Sequence, residues 1–132
     1  MLSSTPCPCG SGHSFNICCA PYLNDTATAP TAEALMRSRY TAFTLQNMVY
    51  LNATWHPDTR PANLDLADQA GAKWLGLTVK RHEIIDADHA RVEFVARYKL
   101  KGRAHRLHEI SRFERVEGRW VYVDGEFVTR AT

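Results

Sequence analysis

No cysteine follows Cys19 in this chain of 132 residues; all four lie at positions 7, 9, 18 and 19. That excludes a secreted fold laced by disulfides along its length, and the missing C-x-x-C spacing excludes the usual redox dithiol. Charge of one sign is not in excess. The 16 Lys and Arg against 14 Asp and Glu leave +2, too little to argue for nucleic-acid binding from net charge. No apolar run reaches the length of a membrane span, and Met1-Leu2-Ser3-Ser4-Thr5-Pro6 has neither the basic start nor the apolar stretch of a secretion signal. The expectation is a cytoplasmic protein that does not enter membranes. A phosphate-binding glycine loop is absent, as is a nucleophile with a base beside it, which removes the common signatures of nucleotide-dependent and covalent catalysis. What remains is a globular composition, 45% hydrophobic and 23% charged, sufficient for one modest domain and a small appendage.

The cysteines are concentrated in Cys7-Pro8-Cys9-Gly10-Ser11-Gly12-His13-Ser14-Phe15-Asn16-Ile17-Cys18-Cys19. Two thiolate pairs brought together by a Gly-rich turn supply four soft ligands for one tetrahedral ion. Gly10 and Gly12 permit positive φ, so backbone amides can turn towards the sulfurs. The expected cofactor is one structural metal ion held by Cys7, Cys9, Cys18 and Cys19, with zinc the default and iron the alternative. Phe15 is the one large apolar group available to cap such a module, so metal binding should supply most of its folding energy. His13 reads as a solvated turn residue, because four thiolates already fill the tetrahedron.

The domains expected are a knuckle over 1–23, a small polar linker over 24–30, and a larger domain over 31–132. Thr31 can cap a helix with Glu33 in its first turn. Leu35, Met36, Arg39, Tyr40 and Phe43 then form a buried stripe, with Arg37 facing outward. A second helix is expected over Met48–Ala53 and a third over Leu64–Ala70, ended by Gly71. From Lys73 the period changes to two. Four strands are expected, Trp74–Ile85, Ala90–Leu100, His105–Val116 and Arg119–Asp124, with Gly125 beginning a tail. Helices followed by an antiparallel meander mean an α+β fold. About three helices packed on a curved antiparallel four-stranded sheet resemble the nuclear-transport-factor-2-like cone, which often keeps a pocket between helix and sheet.

Cys7-Pro-Cys-Gly-Ser-Gly, Phe15 and Cys18-Cys19 together resemble the SEC-C motif, the metal-binding tail of the SecA translocation ATPase. There the module contacts the chaperone SecB and has been linked to ribosomes. The remainder is similar to the YchJ family, small bacterial proteins with a SEC-C motif before a nuclear-transport-factor-2-like domain. The segments that carry this are Leu35-Met-Arg-Ser-Arg-Tyr-Thr-Ala-Phe43, Thr54-Trp-His-Pro-Asp-Thr-Arg-Pro61, His108-Glu-Ile-Ser-Arg-Phe113 and Gly118-Arg-Trp-Val-Tyr-Val-Asp-Gly125. The resemblance implies a non-catalytic adaptor whose knuckle contacts a chaperone, translocation or ribosomal component. SEC-C knuckles usually carry lysines after Gly-Ser-Gly; this chain has His13, Ser14, Asn16 and Ile17 there.

The alternative function is a small-molecule binder, or a hydrolase- or isomerase-like enzyme, using the cone pocket. Alternation places Leu107, Glu109, Ser111 and Phe113 on one face of the third strand, and Trp120, Tyr122 and Asp124 on one face of the fourth. If these faces meet the helices, Glu109 and Asp124 point inward and need a partner, for which Arg39 is the candidate. Trp55, His56 and Arg60 would stand at the rim, and Trp74 and Trp120 would wall the cavity. The plainer reading of Arg39, Glu109 and Asp124 is an internal network that fixes helix to sheet. Arg97, Lys99, Lys101, Arg103 and Arg106 cluster around the second hairpin. They read as a solvated sheet edge, with nucleic acid not expected as a direct target, because the flanking aromatics that would make a single-strand platform are expected to be buried.

Overall fold

The computed structural model describes residues 6–60 and 73–128. A single turn of 3₁₀ helix, Phe15–Ile17, leads into α1 (Ala20–Leu23), α2 (Ala32–Leu45) and α3 (Met48–Ala53), then β1 (Lys73–Asp86), β2 (His89–Leu100), β3 (Arg103–Val116) and β4 (Arg119–Phe127). The helix expected over Leu64–Ala70 lies outside the described residues. The strands form one antiparallel meander in the order β1-β2-β3-β4, with the helices on one face. This is the α+β cone of the sequence reading.

Local chemistry sets the helix ends. Thr31 Oγ1 accepts from the Ala34 N–H at 3.0 Å, and Gln46 closes α2 in the left-handed conformation at φ 55°. Asn47 Oδ1 caps α3 by accepting from the Tyr50 N–H. Leu35, Met36 and Tyr40 of α2 are buried against Val92, Phe94 and Phe113 of the sheet. Full burial of such a side chain stabilises the fold by about 1.5–3 kcal/mol.

Two features depart from expectation. β4 continues through Gly125 to Phe127, and it carries a bulge: Arg112 pairs with Asp124 but Phe113 pairs with Tyr122, so Val123 is the extra residue. A bulge moves every later side chain to the opposite face. Asp124 therefore points outward, and Gly125 and Phe127 turn inward. The second departure is the knuckle. Cys7, Cys9 and Cys19 are buried in the same cluster as Leu35, Met36 and Leu77. The module is thus fused to α2 and β1 through a shared core, where the sequence suggested a self-contained unit capped by Phe15 alone.

Candidate metal centre and cone pocket

The four sulfurs lie within 4.8 Å of one another, with Cys9–Cys18 at 3.6 Å and Cys18–Cys19 at 4.0 Å. Four thiolates 2.3 Å from a tetrahedral ion stand about 3.8 Å apart, so the donor set and its spacing fit one ion. The left-handed residues Gly10 and Gly12, at φ 78° and 90°, wind the chain between the pairs. Gly10 is constrained twice, because an added Cβ would stand 3.0 Å from the Leu77 carbonyl oxygen.

The groups around the sulfurs come partly from α2. The buried Thr41 Oγ1 donates to Cys19 Sγ at 3.4 Å and lies 3.7 Å from Cys7 Sγ. Ser11 Oγ stands 3.1 Å from Cys18 Sγ. Arg37, expected to face outward, turns back to donate to the Cys9 carbonyl at 2.8 Å while pairing with Glu33 at 3.1 Å. Without an ion, hydrogen bonds from Cys19 and Ser11 pull Cys9 down to about 4. Burial pushes Cys18 up to about 11, and the bond with Cys9 together with burial raises Cys19 further. Binding a dication there favours the thiolate form of its ligands and releases protons. Thr41 and Arg37 were missed by sequence reasoning. Their only signal was that both sit within two turns of α2 on the side facing the knuckle.

On the opposite side of α2 lies a cavity of about 220 Å³. Its wall is largely aromatic: Tyr40, Phe43, Trp55, Trp74, Phe94, Tyr122 and Phe127. Arg39 and Glu109 line it and Ser111 completes its polar side. Arg39 is 4% exposed, and Nη1 donates to the Leu51 carbonyl at 2.9 Å and to Thr54 Oγ1 at 2.6 Å. Its guanidinium sits 4.7 Å from the centroid of Tyr122 and 5.2 Å from that of Trp55. Burial draws its pKa down to about 10. Glu109 Oε2 accepts from Ser111 Oγ at 2.6 Å and Tyr122 OH at 3.3 Å. Burial, and then the Glu109 charge, push the Tyr122 phenol upward. A Cβ at position 125 would fall 1.9 Å from Glu109 Oε2, so the carboxylate occupies the space that glycine leaves. The Trp55 indole N–H is buried without a partner among the described residues.

The residues named from sequence separate into two groups. Arg39, Trp55, Trp74, Glu109 and Ser111 meet in this cavity. His56, Arg60, Trp120 and Asp124 do not. The bulge turns Asp124 outward, where Arg112 Nε and Nη2 hold its two oxygens at 2.6 Å each, so it joins no network with Arg39. Arg39 and Glu109 also form no ion pair; Arg39 Nη1 is turned to Leu51 and Thr54 instead. His56 lies on the far side of β4, with Nε2 3.5 Å from Glu114 and Nδ1 accepting from the Asp58 N–H. No pair of His56 with Asp124 or Glu109 is assembled. Arg60 is turned back onto the Trp55 carbonyl. These contacts fasten the 54–60 segment along β4, through Tyr122 N–H to Thr54 O and His56 N–H to Tyr122 O. Trp120 lines a different, small cavity of about 50 Å³ with Leu35 and Tyr22. Tyr40, Phe43, Phe94 and Phe127 were not named as pocket residues. Phe127 could not be, because the bulge that turns it inward has no sequence mark.

Residues 31–125 match the family model of the YchJ middle NTF2-like domain, and residues 4–21 match the SEC-C motif. A UPF0225 protein of Polaromonas naphthalenivorans is 58% identical over 135 residues, covering 93% of this chain and 98% of that one. A UPF0225 protein of Ralstonia nicotianae is 53% identical, with 91% of this chain and 90% of the relative covered. The solution structure of a SEC-C motif containing protein from Rhodopseudomonas palustris is similar, with a TM-score of 0.86 and 35% identity over 95% of this chain and all of the other. The crystal structure of a SEC-C motif containing protein from Psychrobacter arcticus gives 0.80 and 28% over 99% of this chain and 87% of the other. No helix among the described residues is long and apolar enough to cross a membrane.

Proposed function

The chain belongs to the YchJ family, in which an NTF2-like domain follows a SEC-C motif, and on that premise we propose that it is a small-molecule-binding cytoplasmic protein whose zinc centre is structural. Four thiolate donors leave a tetrahedral ion no open position for water or substrate, which supports a structural role. The observation that carries the binding function is the 220 Å³ cavity, in which an aromatic wall surrounds the buried Arg39 and the Glu109 carboxylate. Such a site suits a small aromatic molecule whose polar head accepts from Arg39 or the Trp55 N–H and donates to Glu109. Titration with benzamide, followed by the indole resonances of Trp55, Trp74 and Trp120, tests it. Saturable shifts of Trp55 and Trp74, with Trp120 unmoved and the response lost in Ala96→Leu, are expected. Equal movement of all three indoles, or none, overturns the reading.

One observation favours a second reading, an adaptor that grips a chaperone, translocation or ribosomal protein through its knuckle. Ile17 is 69% exposed at the tip of the 3₁₀ turn, an apolar group with no packing role of its own. Loss of a captured partner in Ile17→Asp at unchanged metal content would support it. The same capture by both proteins would sink it.

A further inference from the structure

Three of the four cysteines are shut away from water. Cys7, Cys9 and Cys19 are buried, whereas Cys18 is only half-buried and is the one member of the centre that solvent reaches. Their neighbours differ in the same way. The buried cysteines are backed by α2: Thr41 Oγ1 stands 3.4 Å from Cys19 Sγ and 3.7 Å from Cys7 Sγ, and Arg37 holds the Cys9 carbonyl. Cys18 follows the 3₁₀ turn at the surface of the knuckle. Among the described residues its sulfur meets Ser11 Oγ at 3.1 Å, Cys9 Sγ at 3.6 Å and Cys19 Sγ at 4.0 Å.

A closed four-thiolate centre has no place for a substrate, but coordination holds each ligand deprotonated, and a thiolate that solvent reaches is nucleophilic. Buried thiols are inert for want of access. An accessible thiolate with a second sulfur beside it is the arrangement that oxidises to a disulfide. Cys19 is next to Cys18 in the chain, and bridging sequence neighbours closes a strained ring. Cys9 lies nine residues away across the Gly10–Gly12 turn, and its sulfur is the nearer of the two. The pair has to close from 3.6 Å to about 2.05 Å.

We propose that Cys18 is an oxidation site, at which a hydroperoxide joins it to Cys9 in a disulfide that dismantles the centre and loosens the domain. The Cys18 thiolate attacks the peroxide: an S–O bond forms, the O–O bond breaks, and the alcohol leaves with a proton from solvent, or water when the oxidant is hydrogen peroxide. The Cys9 thiolate then attacks the sulfur of the sulfenic acid. An S–S bond forms, the S–O bond breaks, and hydroxide leaves as water after taking a second solvent proton. Two electrons pass from the two sulfurs to one peroxide, and the ion loses two of its four ligands. The change does not stay in the knuckle. Cys9 belongs to the core cluster of Leu35, Met36 and Leu77, and Gly10 beside it stands against the Leu77 carbonyl. Drawing Cys9 towards Cys18 disturbs packing that α2 and β1 share. Reduction by a thiol and return of the ion restore the starting state. This inference rests on the reading of the four cysteines as a zinc centre and is independent of the cone pocket.

Treating the zinc-loaded full chain with hydrogen peroxide, with a chromophoric chelator reporting free zinc, tests it. One zinc ion should appear per chain as two thiols disappear. Differential alkylation and tandem mass spectrometry should place the new link between Cys9 and Cys18. The Tm of the main transition should fall as far as it does on chelation, and dithiothreitol with added zinc should return it. Cys18→His keeps a fourth donor for the ion and removes the accessible sulfur, so its zinc should be released at least about tenfold more slowly. Zinc retained while free glutathione in the same solution is oxidised would overturn the assignment. So would a link other than Cys9–Cys18, sulfinic or sulfonic acid in place of a disulfide, or equally fast release from Cys18→His. Should Cys18→His bind no zinc, the linkage found in the native chain decides alone. A native chain that takes up no zinc overturns the metal centre and the oxidation with it, a failure distinct from zinc that is bound and retained.

Discussion

The knuckle and the cone pocket lie on either side of the same helix, and α2 serves them in opposite ways. Towards the knuckle it presents Thr41 and Arg37, which close the site with hydrogen bonds, Thr41 donating to Cys19 Sγ and Arg37 to the Cys9 carbonyl. Towards the cone it presents Arg39, Tyr40 and Phe43, which leave a space unfilled. A closed polar site stabilises the fold. A buried cation beside an open cavity costs desolvation. One helix therefore carries both the part of the molecule that holds it together and the part available for a ligand.

The comparison is broken most directly at the metal centre. Because Cys7, Cys9 and Cys19 share the core with α2 and β1, removing the ion should loosen the whole domain and not the first residues alone. Chelation, or Cys9→Ser, is expected to lower stability by about 3 kcal/mol or more, seen as one cooperative transition moved to lower temperature. A chelated protein with unchanged Tm of its main transition would show that the knuckle is an appendage after all. Thr41→Val keeps the shape and removes the hydroxyl beside two sulfurs. It should weaken metal affinity by about 10- to 100-fold, measured by competition with a chromophoric chelator, and lower stability by about 1 kcal/mol. Unaltered affinity would reduce Thr41 to a packing residue.

The pocket is sharpened by Gly125. The nearest atoms to an alanine Cβ there are Oε2, Cδ and Cγ of Glu109, all side-chain atoms, so the strand can keep its place while the side chain moves. Gly125→Ala should change stability by less than about 1 kcal/mol yet alter benzamide binding several-fold, because Glu109 leaves Ser111 and Tyr122. A variant that unfolds instead would mean that the carboxylate cannot be displaced and belongs to the framework.

Most of the fold was legible because its signals are local. Period, caps and turn residues placed α2, α3 and the four strands to within a few residues, and the spacing of the cysteines picked out four sulfurs that lie together and could hold an ion. The pocket was legible only in part. Arg39, Trp74, Glu109 and Ser111 follow from alternation along regular elements, and Trp55 from the segment before β1. Trp120 and Tyr122 share a face as alternation predicts, but the assignment failed after Tyr122 because a bulge is a pairing event between two strands. The residue that makes it, Val123, has nothing unusual about it. Arg37 was misread for a related reason: helical periodicity assumes one buried side, and α2 has the sheet on one side and the knuckle on another.

The smallest effect tests that bulge. Asp124 is held below the usual carboxylate range by the hydrogen bonds from Arg112. A folded pKa below the unfolded one contributes stability that is present above the unfolded value, near 3.9, and is lost as pH falls through the folded value. The pair is on the surface, so the contribution is at most about 0.5–1 kcal/mol and screened by salt. Asp124→Asn should therefore cost little at pH 7, cost nothing once the pH is below the native carboxyl's pKa, and leave benzamide binding unchanged. Had β4 run without its bulge, Asp124 would share the cavity with Glu109, and the same substitution would change both binding and its pH dependence. An altered benzamide titration in Asp124→Asn would thus return Asp124 to the pocket and Val123 to the regular ladder.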